Sequence, residues 1–112
     1  MDIKSLEAYG ANTAEGMARC MNNESFYLRM VSMVLEDSNF EALRSAMEAR
    51  DAHAAFEAAH ALKGAVGNVS LTPIFGPVCE LTEALRGSEE IPAGSEALME
   101  QIMESREKAL SL

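Results

Sequence analysis

Glycine and proline are sparse in this 112-residue chain, seven and three respectively, and a strand-like alternation of apolar and polar residues is missing. β-Branched residues rarely cluster, so a sheet has neither the pattern nor the side chains it needs. No apolar run is long enough to span a bilayer, and the N-terminus lacks the charged-then-apolar pattern of a secretion signal. A cytoplasmic location without membrane contact is therefore expected. Basic residues are also few. Nine Lys and Arg against 18 Asp and Glu leave a net charge of −9, which argues against nucleic acid because a phosphate backbone demands a basic face. Cys20 and Cys79 form neither a C-x-x-C pair nor a disulfide framework and read as buried thiols. The Asn-x-Ser matches at Asn23 and Asn68 carry no weight in a chain that is not secreted. No Walker lysine motif, Gly-x-Gly-x-x-Gly loop, His-Glu-x-x-His or supportable Ser-His-Asp pattern is present, so autonomous catalysis is not expected.

What remains is helix almost throughout. At this length one domain, residues 1–112, can bury roughly two-thirds of its unfolded surface. Ile3, Leu6 and Tyr9 predict a short helix ending at Gly10, and Asn12 or Thr13 caps a second reaching about Met21. Asn23 caps a third, with Tyr27, Met30, Val31, Val34 and Leu35 on its inner side. Four longer helices follow, predicted at 39–49, 52–69, 71–86 and 95–110. Ser38 or Asn39 starts the first and Asp51 caps the second. Thr72 reads as a cap with Pro73 at the first helical position, Gly87 as a C-terminal stop and Ser95 as the last cap. Pro77 should kink its helix or delay regular structure until that point, since proline removes a donor. Short loops between helices of this length predict an all-α, antiparallel four-helix bundle over about 39–110, with the N-terminal part, about 1–37, capping one end. The eight methionines and many alanines suit a malleable, closely packed core.

The second long helix is the informative one. At about 100° per residue, Ala55, Ala58, Leu62, Val66 and Val69 form its apolar stripe, and His60 falls nearly opposite. His53, Phe56, Glu57, Lys63, Gly64 and Gly67 surround His60 at offsets of three, four and seven. An imidazole is thus offered to solvent, with an ammonium one turn along and glycines where side chains would crowd it. Gly64 costs about 1 kcal/mol of helix stability relative to alanine, a cost easier to understand if small size is needed there or if another helix crosses closely.

The run His60-Ala61-Leu62-Lys63-Gly64, with Ser70 six residues further on, resembles the signature of histidine phosphotransfer (HPt) domains, His-x-Leu-Lys-Gly, five residues, then usually Gly. Tyr9-Gly10, Leu35-Glu36-Asp37, Ala49-Arg50-Asp51 and Leu81-Thr82-Glu83-Ala84-Leu85-Arg86 are similar to small stand-alone members, so the resemblance covers nearly the whole chain. Ser70 departs from the pattern, and a left-handed backbone there would cost serine about 1 kcal/mol. The resemblance implies a phosphorelay role. His60 would accept a phosphoryl group from the aspartyl phosphate of a receiver domain and pass it to another, the receivers belonging to response regulators or hybrid histidine kinases. Lys63 would steady the phosphoryl oxygens. Phe56, Glu57, Gly64, Gly67 and Asn68 would form the receiver-docking surface. No intrinsic cofactor is implied, with Mg²⁺ and its carboxylates coming from the receiver, and a monomer is expected.

Two other readings compete. A receiver-binding adaptor that transfers nothing is disfavoured by intact His60, Lys63 and Gly64. A metal site is suggested by His53, Glu57 and His60 at i, i+4 and i+7, with Glu57-x-x-His60 resembling half of a di-iron carboxylate motif. Such sites need a second Glu-x-x-His and inward-facing carboxylates, whereas both histidines here face water.

Overall fold

A computed structural model describes residues 1–112 as seven helices. They are α1 (Ile3–Tyr9), α2 (Thr13–Arg19), α3 (Glu24–Leu35), α4 (Asn39–Glu48), α5 (Ala52–Asn68), α6 (Thr72–Leu85) and α7 (Ser95–Leu110). No strand is present. Side-chain caps set most of the starts, each satisfying an amide the helix cannot reach itself. Asp2 accepts from Ser5 N at 2.7 Å, Asn12 from Glu15 N at 3.2 Å, Asn23 from Phe26 N at 3.1 Å and Asp51 from Ala54 N at 3.0 Å. At α4 the cap position is Ser38, but Asp37 Oδ1 supplies the bond, accepting from Asn39 N at 2.7 Å.

Three local expectations are corrected. Ser95 is not a cap: Gly94 holds that place at φ 89°, a left-handed backbone that suits glycine. Ser95 Oγ is instead turned inward, buried without a hydrogen-bond partner. Thr72 is likewise the first helical residue and not the cap, which is Leu71, while Thr72 Oγ1 donates to Ser70 O at 3.5 Å. Pro77 neither delays nor interrupts α6, which starts five residues earlier. Its missing amide orphans only the Pro73 carbonyl in the opening turn, and Gly76 before it has no Cβ for the proline ring to strike.

The helices α4, α5, α6 and α7 pack in sequence as an antiparallel bundle, α5 between α4 and α6, and α6 between α5 and α7. α3 is pinned at both ends. Tyr27 Oη donates to Val69 O at 2.9 Å, and Leu35 O accepts from Arg106 Nε at 2.8 Å. It therefore extends the α4 side of the bundle toward the end of α5. α1 is held by Tyr9 Oη donating to Ser105 O at 2.8 Å. One continuous core runs from Leu6 through Tyr27, Phe40 and Leu62 to Ile102 and Ala109, so the N-terminal helices share it with the bundle.

Methionine is not what fills that core. Only Met47 and Met99 are buried, whereas Met21 and Met33 are 90% and 60% exposed. Leu, Ile and Val interlock with buried alanines on α4, α5 and α7, while Met17, Met30 and Met103 pack half-buried against the outside of the core. Cys20 is buried as expected, but Cys79 is only half-buried.

Candidate functional site

α5 turns its buried stripe of Ala52, Ala55, Ala58, Ala59, Leu62 and Val66 into the core. Its opposite face is open, and His60 lies on it, exposed. The imidazole is not free to wander. Its ring stacks on Phe56 one turn back, with centroids 5.6 Å apart and planes only 13° from parallel. The Arg86 guanidinium from α6 lies over the same Phe56 ring at 5.1 Å, and Glu83 holds Arg86 Nε at 2.8 Å. The resemblance implied that Phe56 belongs to the docking surface. Its ring is half-buried, packed against the core edge and sandwiched into this group.

His60 opens onto a polar groove of about 560 Å³ that also takes in Lys63, Gly64, Gly67 and Asn68 from α5. Five of the seven expected residues thus share one cavity, and Phe56 adjoins it through the ring stack. Glu57 does not join them. Its carboxylate reaches back to His53 Nε2 at 3.2 Å, an exposed pair one turn away. No three His, Cys, Asp or Glu side chains converge in a metal-holding group. His60 faces Phe56 where the metal alternative required it to meet His53 and Glu57.

The two glycines beside His60 differ. A Cβ added at Gly64 would meet nothing within 4 Å, so no helix crossing accounts for it. At Gly67 a Cβ would lie 2.9 Å from Phe75 Cε1, so this glycine makes room for a ring from α6. Gly67 therefore serves the chain's own packing, whatever else touches it.

Charge at the groove's edge follows from α6. Arg86 first, then Lys63 and His60, hold the exposed Glu83 carboxyl below the usual carboxylate range. Burial pushes the Cys79 thiol up, against the pull of nearby Lys63.

Ser70 adopts the left-handed backbone anticipated for it, at φ 56°. It also finds partners that a glycine could not. Its hydroxyl donates to Glu15 Oε1 at 2.9 Å and accepts from Arg19 Nη1 at 3.4 Å, tying the end of α5 to α2. Asn12, Glu15 and Arg19 of α2, with Thr72 and Phe75 of α6, complete the groove. Sequence reasoning named none of these five for the site. The stripe Phe75, Cys79, Glu83, Arg86 at offsets of four, four and three marks one face of α6, a signal that was available. For α2 no local signal exists, because its place beside α5 depends on contacts some fifty residues apart in sequence.

The family described as Hpt domain matches residues 29–109, most of the chain, from within α3 to the end of α7. This protein belongs to the Hpt domain family. No curated protein and no solved structure matches it.

Proposed function

From its membership of the Hpt family, we propose that this domain is a phosphoryl carrier in a phosphorelay, and that His60 is the residue that carries the group. The observation that bears most weight is an exposed imidazole, ring-stacked on Phe56, beside a glycine with open space where its side chain would be. In its neutral form an imidazole keeps a lone pair on one ring nitrogen. That lone pair attacks the phosphorus of an aspartyl phosphate on a receiver domain. The new P–N bond forms as the P–O bond to the aspartate breaks, and the bonding electrons leave with the receiver's carboxylate. The reverse sequence loads a second receiver.

Such a transfer asks mainly for alignment and charge stabilisation. Phe56, with Arg86 above it, restricts the imidazole's rotation. Lys63, in the same groove, steadies the equatorial oxygens. Gly64 leaves the approach clear for the receiver, and Gly67 and Asn68 extend the surface on which it sits. Glu57, one turn from His60, lies at the margin of that surface. Mg²⁺ on the receiver would supply further charge neutralisation. The carrier itself needs no cofactor, and as a cytoplasmic monomer it meets receivers of response regulators or hybrid kinases. The adaptor alternative is disfavoured because His60, Lys63 and Gly64 are all intact and share one groove.

The test is transfer from a phosphorylated receiver to wild type and to His60→Gln. Wild type should gain an acid-labile, base-stable phosphate and the variant none, at unchanged helical content and melting temperature. Labelling that persists in the variant would refute the assignment. Gly64→Gln should slow transfer without unfolding the bundle, and equal rates would show that the open approach is irrelevant.

A further inference from the structure

The groove beside His60 has a wall that the family match does not reach. α2 precedes residues 29–109, yet Asn12, Glu15 and Arg19 line the same cavity as His60 and Lys63. On a chain of net charge −9, the groove's charged side chains are Arg19 and Lys63 against the single carboxylate of Glu15, with the His60 imidazole beside them. The local balance is reversed from that of the whole molecule.

Arg19 is also held in place. Its Nη2 pairs with Glu15 Oε1 at 3.1 Å, and its Nη1 donates to Gly67 O and, at 3.4 Å, to Ser70 Oγ. α2 itself is seated tightly, since a Cβ at Gly16 would stand 2.4 Å from the Tyr27 ring. A guanidinium has five N–H donors. These contacts occupy three, leaving Nε–H and one Nη2–H without a partner on a side chain 48% exposed. A cation fixed before binding loses little side-chain entropy when a partner arrives.

The distance suits a docking contact. Gly67, whose carbonyl Arg19 holds, is two turns from His60, about 10 Å along the helix. A standard interface covers about 800 Å² on each partner, a patch about 16 Å in radius. A receiver centred on His60 therefore reaches Arg19.

We propose that Arg19, fixed by Glu15 and Ser70, is a specificity-determining contact for receiver domains, offering its spare donors to a carboxylate on the rim of the receiver's phosphorylation pocket. Ser70, where the family pattern usually has glycine, is then the latch that makes α2 part of the docking face. This inference rests on the phosphotransfer reading and deepens it.

The experiment uses every receiver domain of the source organism, each phosphorylated with acetyl phosphate and Mg²⁺. The receiver that wild type discharges fastest is then followed with variants. Arg19→Glu should lose at least about tenfold in kcat/KM, carried by KM, with a weaker dependence on salt, as expected for a rim charge. Arg29→Glu makes the same charge change on exposed α3, away from the groove, and should lose less than about threefold. Ser70→Ala, which removes one of Arg19's contacts without altering charge and leaves those to Glu15 and Gly67 O, should cost less than Arg19→Glu. Equal losses for Arg19→Glu and Arg29→Glu would overturn the inference while leaving the relay reading intact. If no receiver phosphorylates wild type, both fall together. Should circular dichroism show Arg19→Glu unfolded, Arg19→Gln decides, with a loss expected and wild-type KM overturning the claim.

Discussion

The two faces of α5 answer to different neighbours, and the side chains on each show it. Inward, Ala55, Ala59, Leu62 and Val66 are wholly buried, each shaped by the helices around it. Outward, His60 is exposed with Phe56 stacked against it, and a Cβ at Gly64 would meet nothing within 4 Å. Gly64 and Gly67 bring the contrast down to one turn. Gly67 is small because Phe75 needs the room, whereas Gly64 is small for no reason inside the molecule. A residue that weakens its helix and satisfies no internal contact points to a requirement outside the chain. The docking surface is read from that difference.

The sharpest way to break the contrast is from the inside. Leu62→Ala empties a fully buried site between His60 and Lys63 and should cost about 2–5 kcal/mol of stability, measured by urea denaturation. Phosphate uptake per folded molecule should survive at temperatures where the variant stays folded. A stability loss under about 1 kcal/mol would mean that the inner stripe is less tightly packed than described.

A smaller effect separates the glycines. Gly64→Ala should raise stability by up to about 1 kcal/mol, the ordinary gain of alanine over glycine in a helix. Gly67→Ala brings the same gain but presses on Phe75. Overpacking costs typically about 1–3 kcal/mol, so a net loss of about 1 kcal/mol is expected. Equal shifts in the two variants would erase the distinction.

A separate effect is alkaline. Burial raises the Tyr9 hydroxyl from its ordinary 10 to about 12, and burial raises Tyr27 as well. A raised folded-state pKa means that the unfolded chain loses its proton first. The stabilisation is complete below pH 10 and drains away as pH climbs from 10 toward 12. Tyr9→Phe should make stability less steep across that window. An unchanged slope would show that the Tyr9–Ser105 bond contributes no pH dependence.

The bundle was legible in sequence because its determinants are local. Asp51, Asn23 and Asn12 cap helices where their side chains predict, and the four long helices begin and end within a residue or two of the periodicity. His60 was legible for the same reason, since 100° per residue places it opposite Leu62 and Val66. Errors arose where one residue could take two neighbouring roles. Ser95 and Thr72 are good caps by type, but a left-handed Gly94 and a turn at Leu71 moved each helix start by one. Methionine was placed only in part, with Met1, Met21 and Met33 exposed, because composition does not say which face a residue occupies. The α2 wall of the groove was not legible at all, because Arg19 meets Gly67 and Ser70 only once the chain has folded α2 against the end of α5.

The most direct test of the outward face is to locate the phosphate. Wild-type chain loaded by a phosphorylated receiver, digested at neutral to alkaline pH and mapped by mass spectrometry, should carry one phosphoryl group, on His60. A phosphate found on His53, the other exposed imidazole of the same helix, would contradict the account.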